Sequence, residues 1–222
     1  MRKVLILVEG RTEERFVKDV LQPHLWNRGV HPEPKIVVTK RVKQGSNFKG
    51  GVTDFPKFEN DLRRLLGDSS AALITTMIDY YGLPDDFPGM QSLQGRNSHE
   101  RAQELESALE RHFNASTRFS AYLMIHEFEA LLFSDPAVLA GVMNAPSVNR
   151  HLQTIRNGFP TPEDINNDPS TKPSARIKNL FPGYQKGLHG PLSTARIGLE
   201  TMRRECMHFG QWVAKLERLG SR

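Results

Sequence analysis

Val4-Leu5-Ile6-Leu7-Val8-Glu9-Gly10-Arg11-Thr12-Glu13-Glu14 decides the fold class. Five consecutive branched apolar residues have the length and composition of a strand buried on both faces. Gly10 breaks the run. Thr12, followed by Glu13 and Glu14, reads as a helix start: a capping hydroxyl, then acids that the helix dipole favours. Phe16, Val17, Val20 and Leu21 then recur at helical spacing and give that helix a core-facing stripe. A buried strand passing through a glycine turn into a helix is the opening unit of an open α/β sheet. Such sheets keep their ligands at the carboxyl ends of their strands, and Glu9 stands at one of those ends.

Outward from this unit, Pro23 is expected to break or kink the first helix, which resumes toward Trp26. Residues 35–42 read as a second strand with basic ends, followed by a glycine-rich basic loop from Lys43 to Gly51. Phe55 to Leu66 is an amphipathic helix stopped by Gly67. Residues 71–78 form another apolar strand that ends at Asp79, and residues 80–97 form a long Pro- and Gly-rich loop of the kind that carries function. A charged helix follows over 98–113 with Ser98 as its cap, then a strand over Phe119–Ile125 and a short helix from Glu127 to Phe133. Strand–helix alternation of this kind predicts an α/β fold with a mostly parallel four-stranded sheet flanked by helices. From about residue 135 strand signals vanish, and prolines 160, 162, 169, 173, 182 and 191 interrupt helical stretches. The expected organisation is an α/β core over 1–134 and a helical extension over 135–222 packed on that core.

The chain has 222 residues, a formal charge of +5 and a single cysteine, Cys206. An intrachain disulfide is excluded, and one thiol fits a reducing cytoplasm. No apolar stretch approaches the roughly 20 residues that cross a bilayer, so no membrane partner is expected. The mild positive charge leans toward a polyanion. Lys43 and Lys49, with Phe48 between them, and Arg11 are candidate nucleic-acid contacts; the same basic loop also reads as a solvated surface. Gly45 to Gly51 fails as a nucleotide-phosphate loop because Gly51-Val52 stands where Lys-Ser/Thr is required. His126-Glu127 fails as a zinc-protease motif because position 130 is alanine.

Glu9 and Asp79 end two core strands, so their side chains converge without being neighbours in sequence. A hard cation such as Mg²⁺ takes oxygen ligands, commonly one or two carboxylates. Glu127 and Glu129 follow a third strand and are further candidates. In a helix, positions two apart face different ways, so one of this pair is expected to face the site and the other away, unless the segment is still extended there. Each acid also has a plainer reading: Glu9 as a strand-end acid bonding a helix N-terminus, Asp79 as a turn former, Glu127 as an acid of a first helical turn.

The segment Leu7-Val8-Glu9-Gly10-x-Thr12-Glu13-x-x-Phe16-Val17 resembles the first motif of TOPRIM-type domains, above all those of the overcoming-lysogenization-defect (OLD) nucleases. The later segments resemble a narrower group. They are Asp79-Tyr80-Tyr81-Gly82-Leu83-Pro84, Phe87-Pro88-Gly89, His126-Glu127-Phe128-Glu129-Ala130-Leu131-Leu132-Phe133, Pro162-Glu163-Asp164-Ile165-Asn166 and Thr171-Lys172-Pro173-Ser174. Together they are similar to one TOPRIM-like bacterial family of unknown function that includes the effector subunit of the PARIS anti-phage system. The resemblance runs over nearly the whole chain. It implies a TOPRIM-like four-stranded parallel sheet, with Glu9 as a metal ligand or general acid/base and Asp79 as the first acid of an Asp-x-Asp pair.

Tyr81 stands where that pair has its second acid, and Glu127, Glu129 or Asp85 is the candidate replacement. Lys172 resembles a late lysine of OLD-type nuclease domains, where an ammonium stabilises charge on a scissile phosphate. The implied activity is Mg²⁺- or Mn²⁺-dependent cleavage of nucleic acid, RNA (transfer RNA included) before DNA, as an anti-phage effector. An AAA/ABC-type ATPase partner encoded nearby and an active homodimer are implied with it. The alternative expectation is a non-catalytic subunit that docks on such an ATPase.

Overall fold

The computed structural model describes residues 1–37, 52, 54–114, 117–165 and 168–220. Strand β1 (Arg2–Val8) runs into α1 (Arg11–Phe16), which continues through a wide π-type turn (Val17–Leu21) into α2 (Gln22–Trp26). Pro23 neither breaks nor ends this helix. A proline clashes with the carbonyl four residues back. The π turn, in which the Gln22 N–H bonds to the Val17 carbonyl, widens the helix just ahead of it. Gly10, extended, occupies the cap position without a side-chain bond, and Thr12 is buried inside the first turn instead of capping it.

The second strand, β2, spans Val30–Ile36, earlier than the sequence pattern suggests; residues 38–42 lie outside the described residues. Pro32 and Pro34 hide this strand from a propensity reading. They are tolerated because β2 is an edge strand, paired in parallel to β1 with Pro32 opposite Val4 and Pro34 opposite Ile6. Val37 N–H donates to the Val8 carbonyl, so by alternation the odd-numbered residues point their donors at β1. The two prolines turn their missing donors outward, where no ladder needs them.

Helix α3 (Phe55–Leu66) leads to β3 (Leu73–Asp79), which lies beside β1. Helix α4 (Ser98–His112) is capped by the side chain of Asn97, which accepts from Glu100 N–H at 2.9 Å; Ser98 is its first residue. The last strand is split into β4 (Phe119–Ser120) and β5 (Leu123–Met124), both parallel to β3. Thr76 sits in the split. Its hydroxyl donates to the Tyr122 carbonyl at 2.7 Å and accepts from the Tyr122 N–H at 2.8 Å. On the outer side, Glu110 and Glu106 of α4 accept the N–H groups of Ala121 and Leu123. The sheet order is β2-β1-β3-β4, with β5 extending the β3 edge.

Alternation along β1 separates two apolar layers. Leu5 and Leu7 pack with Phe58, Leu62, Leu105 and Leu109 of α3 and α4. Val4, Ile6 and Val8 face Phe16, Leu25 and a C-terminal region that has no strand among its described residues. That region comprises α5 (Pro136–Val142), α6 (Asn149–Asn157), α7 (Pro173–Leu180), α8 (Lys186–Ile197), α9 (Leu199–Glu205) and α10 (Met207–Glu217). Its Leu139, Leu152, Ile177, Phe209 and Val213 are buried in the same cluster as β1.

Helix α8 crosses α1 closely at Gly190, where a Cβ would come within 3.1 Å of Thr12. Pro191 cannot donate to the Gly187 carbonyl one turn back, and Arg15 of α1 takes that carbonyl at 3.3 Å. These contacts bring the start of α8 to the carboxyl ends of the strands. Among the described residues no helix is long and apolar enough to cross a membrane.

Candidate functional site

The order β2-β1-β3-β4 changes direction between β1 and β3. In open α/β sheets the crevice at that reversal, beyond the carboxyl ends, is where ligands bind. Glu9 follows β1 and Asp79 ends β3, so the two acids flank the crevice. They touch through the backbone: Asp79 N–H donates to Glu9 Oε2 at 3.1 Å.

The segment after β5 closes over them. Tyr80 and Tyr81 N–H groups donate to the Met124 and His126 carbonyls at 2.9 and 2.8 Å. His126 has φ of 66°, a left-handed conformation that costs a non-glycine residue strain and is held here by burial. This turn redirects the chain so that Phe128 N–H donates to Asp79 Oδ1 at 3.0 Å. Phe128–Ser134 then forms a buried 3₁₀ helix with Glu129 in its first turn.

Four carboxylates share this place. Lys186, the first residue of α8, extends its ammonium among them: Nζ lies 3.4 Å from Glu13 Oε1, 3.6 Å from Asp79 Oδ2 and 3.4 Å from Glu129 Oε2. Glu9 is coupled electrostatically to Lys186, Glu13 and Glu129. Glu13, Asp79 and Glu129 are buried, and Glu9 is partly exposed.

The charge balance is poor. Burial, then the neighbouring Glu13 and Glu129 charges, push the Glu9 carboxyl up to about 7 against the pull of Lys186. Burial and the Glu9 charge push Asp79 well above the usual carboxylate range. Glu129 is raised by burial. Lys186 moves the other way from a simple burial effect. Desolvation pulls its ammonium down, but Glu129, Asp79, Glu13 and Glu9 outweigh that and raise it.

Glu127 belongs to a neighbouring pair. Its carboxylate accepts from Ser174 N–H at the start of α7 and lies 3.2 Å from Lys172 Nζ. Lys172 also sits over the Tyr81 ring, 4.4 Å from its centre. Tyr81 therefore holds a lysine where the resembled motif has an acid. Asp85 is exposed on the loop after β3. Arg11 is exposed at the start of α1. Lys43 and Lys49 lie outside the described residues.

Of the four acids expected from the sequence, the structure brings Glu9, Asp79 and Glu129 together and sets Glu127 beside them with Lys172; it adds Glu13 and Lys186, which the sequence reading omitted. Glu13 carried a weak signal, since it lies within the same motif as Glu9. Lys186 carried none.

The donor set suits a hard divalent ion in chemistry, because every group is a carboxylate. Glu13 Oε1 and Glu129 Oε2 are buried and accept no hydrogen bond, and four carboxyl groups share one lysine. The oxygens stand apart around the ammonium, however. Among the described residues no three ligating side chains are already drawn together as a metal cage.

A family model described as a domain of unknown function, DUF4276, matches residues 8–217. The chain belongs to this family. The match takes in both the β-strand tips and the start of α8, so acids and lysine alike lie within the DUF4276 region. Among solved structures, the C-terminal region of the Burkholderia pseudomallei OLD protein aligns over 98% of this chain and 99% of its own. The identity is 13% and the TM-score 0.43. No curated protein matches the chain.

Proposed function

We propose that this DUF4276 chain is a metal-dependent endonuclease that hydrolyses phosphodiester bonds of nucleic acid. The observation that carries the reading is the meeting of Glu9, Glu13, Asp79 and Glu129 at the reversal point of the sheet around one cationic group. A buried surplus of carboxylates is costly for folding alone, and a divalent cation is the partner that balances it. These four side chains would hold Mg²⁺ or Mn²⁺. Such an ion, when bound, supplies neutralisation of phosphate charge and a more acidic water.

The chain's own groups do the rest. The Asp79 N–H and the Phe128 N–H fix the orientation of Glu9 and Asp79. Glu9 would serve as an oxygen ligand of the ion or, where it is not bound to it, take or return a proton at its Oε atoms. Lys172, held by Glu127 and the Tyr81 ring beside the same crevice, offers a cation to a phosphate oxygen. Net charge +5 favours a polyanionic substrate, and the motif resemblance favours RNA. An effector role in anti-phage defence, a cytoplasmic location, an ATPase partner and an active homodimer belong to the same proposal.

The test is incubation of the purified chain with transfer RNA, total RNA and plasmid DNA, with Mg²⁺ or Mn²⁺ and with chelator. Cleavage requiring the cation is expected, and Glu9→Gln should reduce it on the order of 10²-fold or more. Cleavage in chelator, or cleavage indifferent to Glu9→Gln, contradicts the mechanism. Mn²⁺ binding without cleavage of any substrate moves the reading to the ATPase-docking subunit.

A further inference from the structure

We propose that Lys186 is a tethered cation that fills the ion position and must swing out before a divalent metal is held. This lysine thereby sets the threshold for metal loading; the inference rests on the metal reading above. Its ammonium faces Glu13, Asp79 and Glu129 at 3.4, 3.6 and 3.4 Å. Charge-assisted N–H···O bonds are shorter, about 2.7–2.9 Å, so none of the three acids grips it. Glu13 Oε1 and Glu129 Oε2, both buried and both turned to the ammonium, accept no hydrogen bond. The position therefore still has open acceptors while the lysine is in it.

The ammonium and a divalent ion exclude each other. Both would have to lie among the same carboxylate oxygens, where two like charges repel strongly. A divalent ion is the better occupant once present. It carries twice the charge, and Mg²⁺ draws oxygens to about 2.0–2.1 Å.

The lysine also has a way out. Its side chain is 37% exposed, it is the first residue of α8, and exposed Gly187 follows it. Rotating its stem toward solvent disturbs no core residue of α8, whose buried positions begin at Gly190. Lys172 has a different task. Its carboxylate partner among the described residues, Glu127, is outside this cluster at 3.2 Å, so its pairing does not depend on the ion.

Two measurements test the proposal. In the wild-type chain, acetylation of Lys186 by a water-soluble amine reagent is followed by mass spectrometry with chelator and with saturating Mn²⁺. The expected result is a several-fold faster reaction at Lys186 when Mn²⁺ is present, with Lys172 changing far less. In calorimetric titrations, Lys186→Met is expected to bind Mn²⁺ about tenfold more tightly than wild type, through removal of the competing charge. Lys186→Arg, which keeps the charge, should bind more weakly than Lys186→Met.

Labelling that stays constant or slows with Mn²⁺ overturns the proposal, as does a folded Lys186→Met with unchanged or weaker affinity. If Lys186→Met does not fold, the wild-type labelling decides alone. Wild type that binds Mn²⁺ without these changes removes only the tethered cation. Failure of wild type and variant alike to bind Mn²⁺ removes the metal reading with it.

Discussion

Glu9→Gln isolates what it costs this fold to hold a charge at the tip of β1. The Glu9 carboxyl is pushed from an ordinary 4.5 to about 7, first by burial and then by Glu13 and Glu129. An acid whose folded pKa lies above its unfolded one binds its proton more tightly in the native state. Its favourable contribution is complete below about 4.5, is lost as pH rises to about 7, and stays lost above that. That interval corresponds to a ceiling of about 3 kcal/mol. Sharing of the proton affinity among the coupled acids, and the partial exposure of Glu9, reduce it to about 1–2 kcal/mol.

Glutamine keeps an oxygen for the Asp79 N–H and removes the ionisation. In chelator at pH 8, Glu9→Gln should therefore be more stable than wild type by about 1–2 kcal/mol, which for a chain of this size raises Tm by about 2–8 °C. At pH 4.5 the two proteins should be equally stable. The assay is urea unfolding followed by tryptophan fluorescence at pH 4.5, 6 and 8, with Trp212 buried in the core as reporter. A variant no more stable than wild type at pH 8, or offset by the same amount at every pH, would refute the electrostatic account of the cluster.

Two further substitutions probe the scaffold behind the crevice. Buried Glu163 accepts the His208 and Phe209 N–H groups at the start of α10, at 3.0 and 2.9 Å; Glu163→Ala should lower stability by about 2–4 kcal/mol by orphaning both, and Glu163→Gln by less, as read from denaturant midpoints. Thr76→Val removes the hydroxyl that serves both polar groups of Tyr122. It should cost about 1–3 kcal/mol, Thr76→Ser should recover most of it, and amide exchange at Tyr122 should report the loss locally.

The parts of this fold that were legible in the sequence are those whose cause is local. Strands β1 and β3 are buried on both faces, so β1 is written as an unbroken apolar run from Val4 to Val8 and β3 as an apolar run broken only by Thr75 and Thr76, and the residue that ends each run is the one at the tip of the strand. That is why Glu9 and Asp79 could be placed at the crevice from the sequence. β2 was misplaced because Pro32 and Pro34 count against a strand until its position is known, and only at a sheet edge do they cost nothing. The gap between β4 and β5 was invisible for a similar reason. Apolar residues run through it, and the hydroxyl that fills it belongs to Thr76 on another strand.

Charge compensation is the least local property of all. Glu13 had a sufficient explanation where it stood, as a first-turn acid facing the helix dipole. It is buried in the region where α8 crosses α1 at Gly190 and brings Lys186 to it. Lys186 follows no spacing rule relative to the strand tips, and its place is fixed by the same crossing. Lys172 shows the converse. A motif resemblance singled it out, and it does stand beside the crevice, yet its carboxylate is Glu127, while a lysine outside every motif faces Asp79 and Glu129. Sequence identifies which charges a chain carries and which strand ends bear them. Which cation answers which anion is decided by helix packing, and at this site the crossing of α8 over α1 puts Lys186, not Lys172, before Asp79 and Glu129.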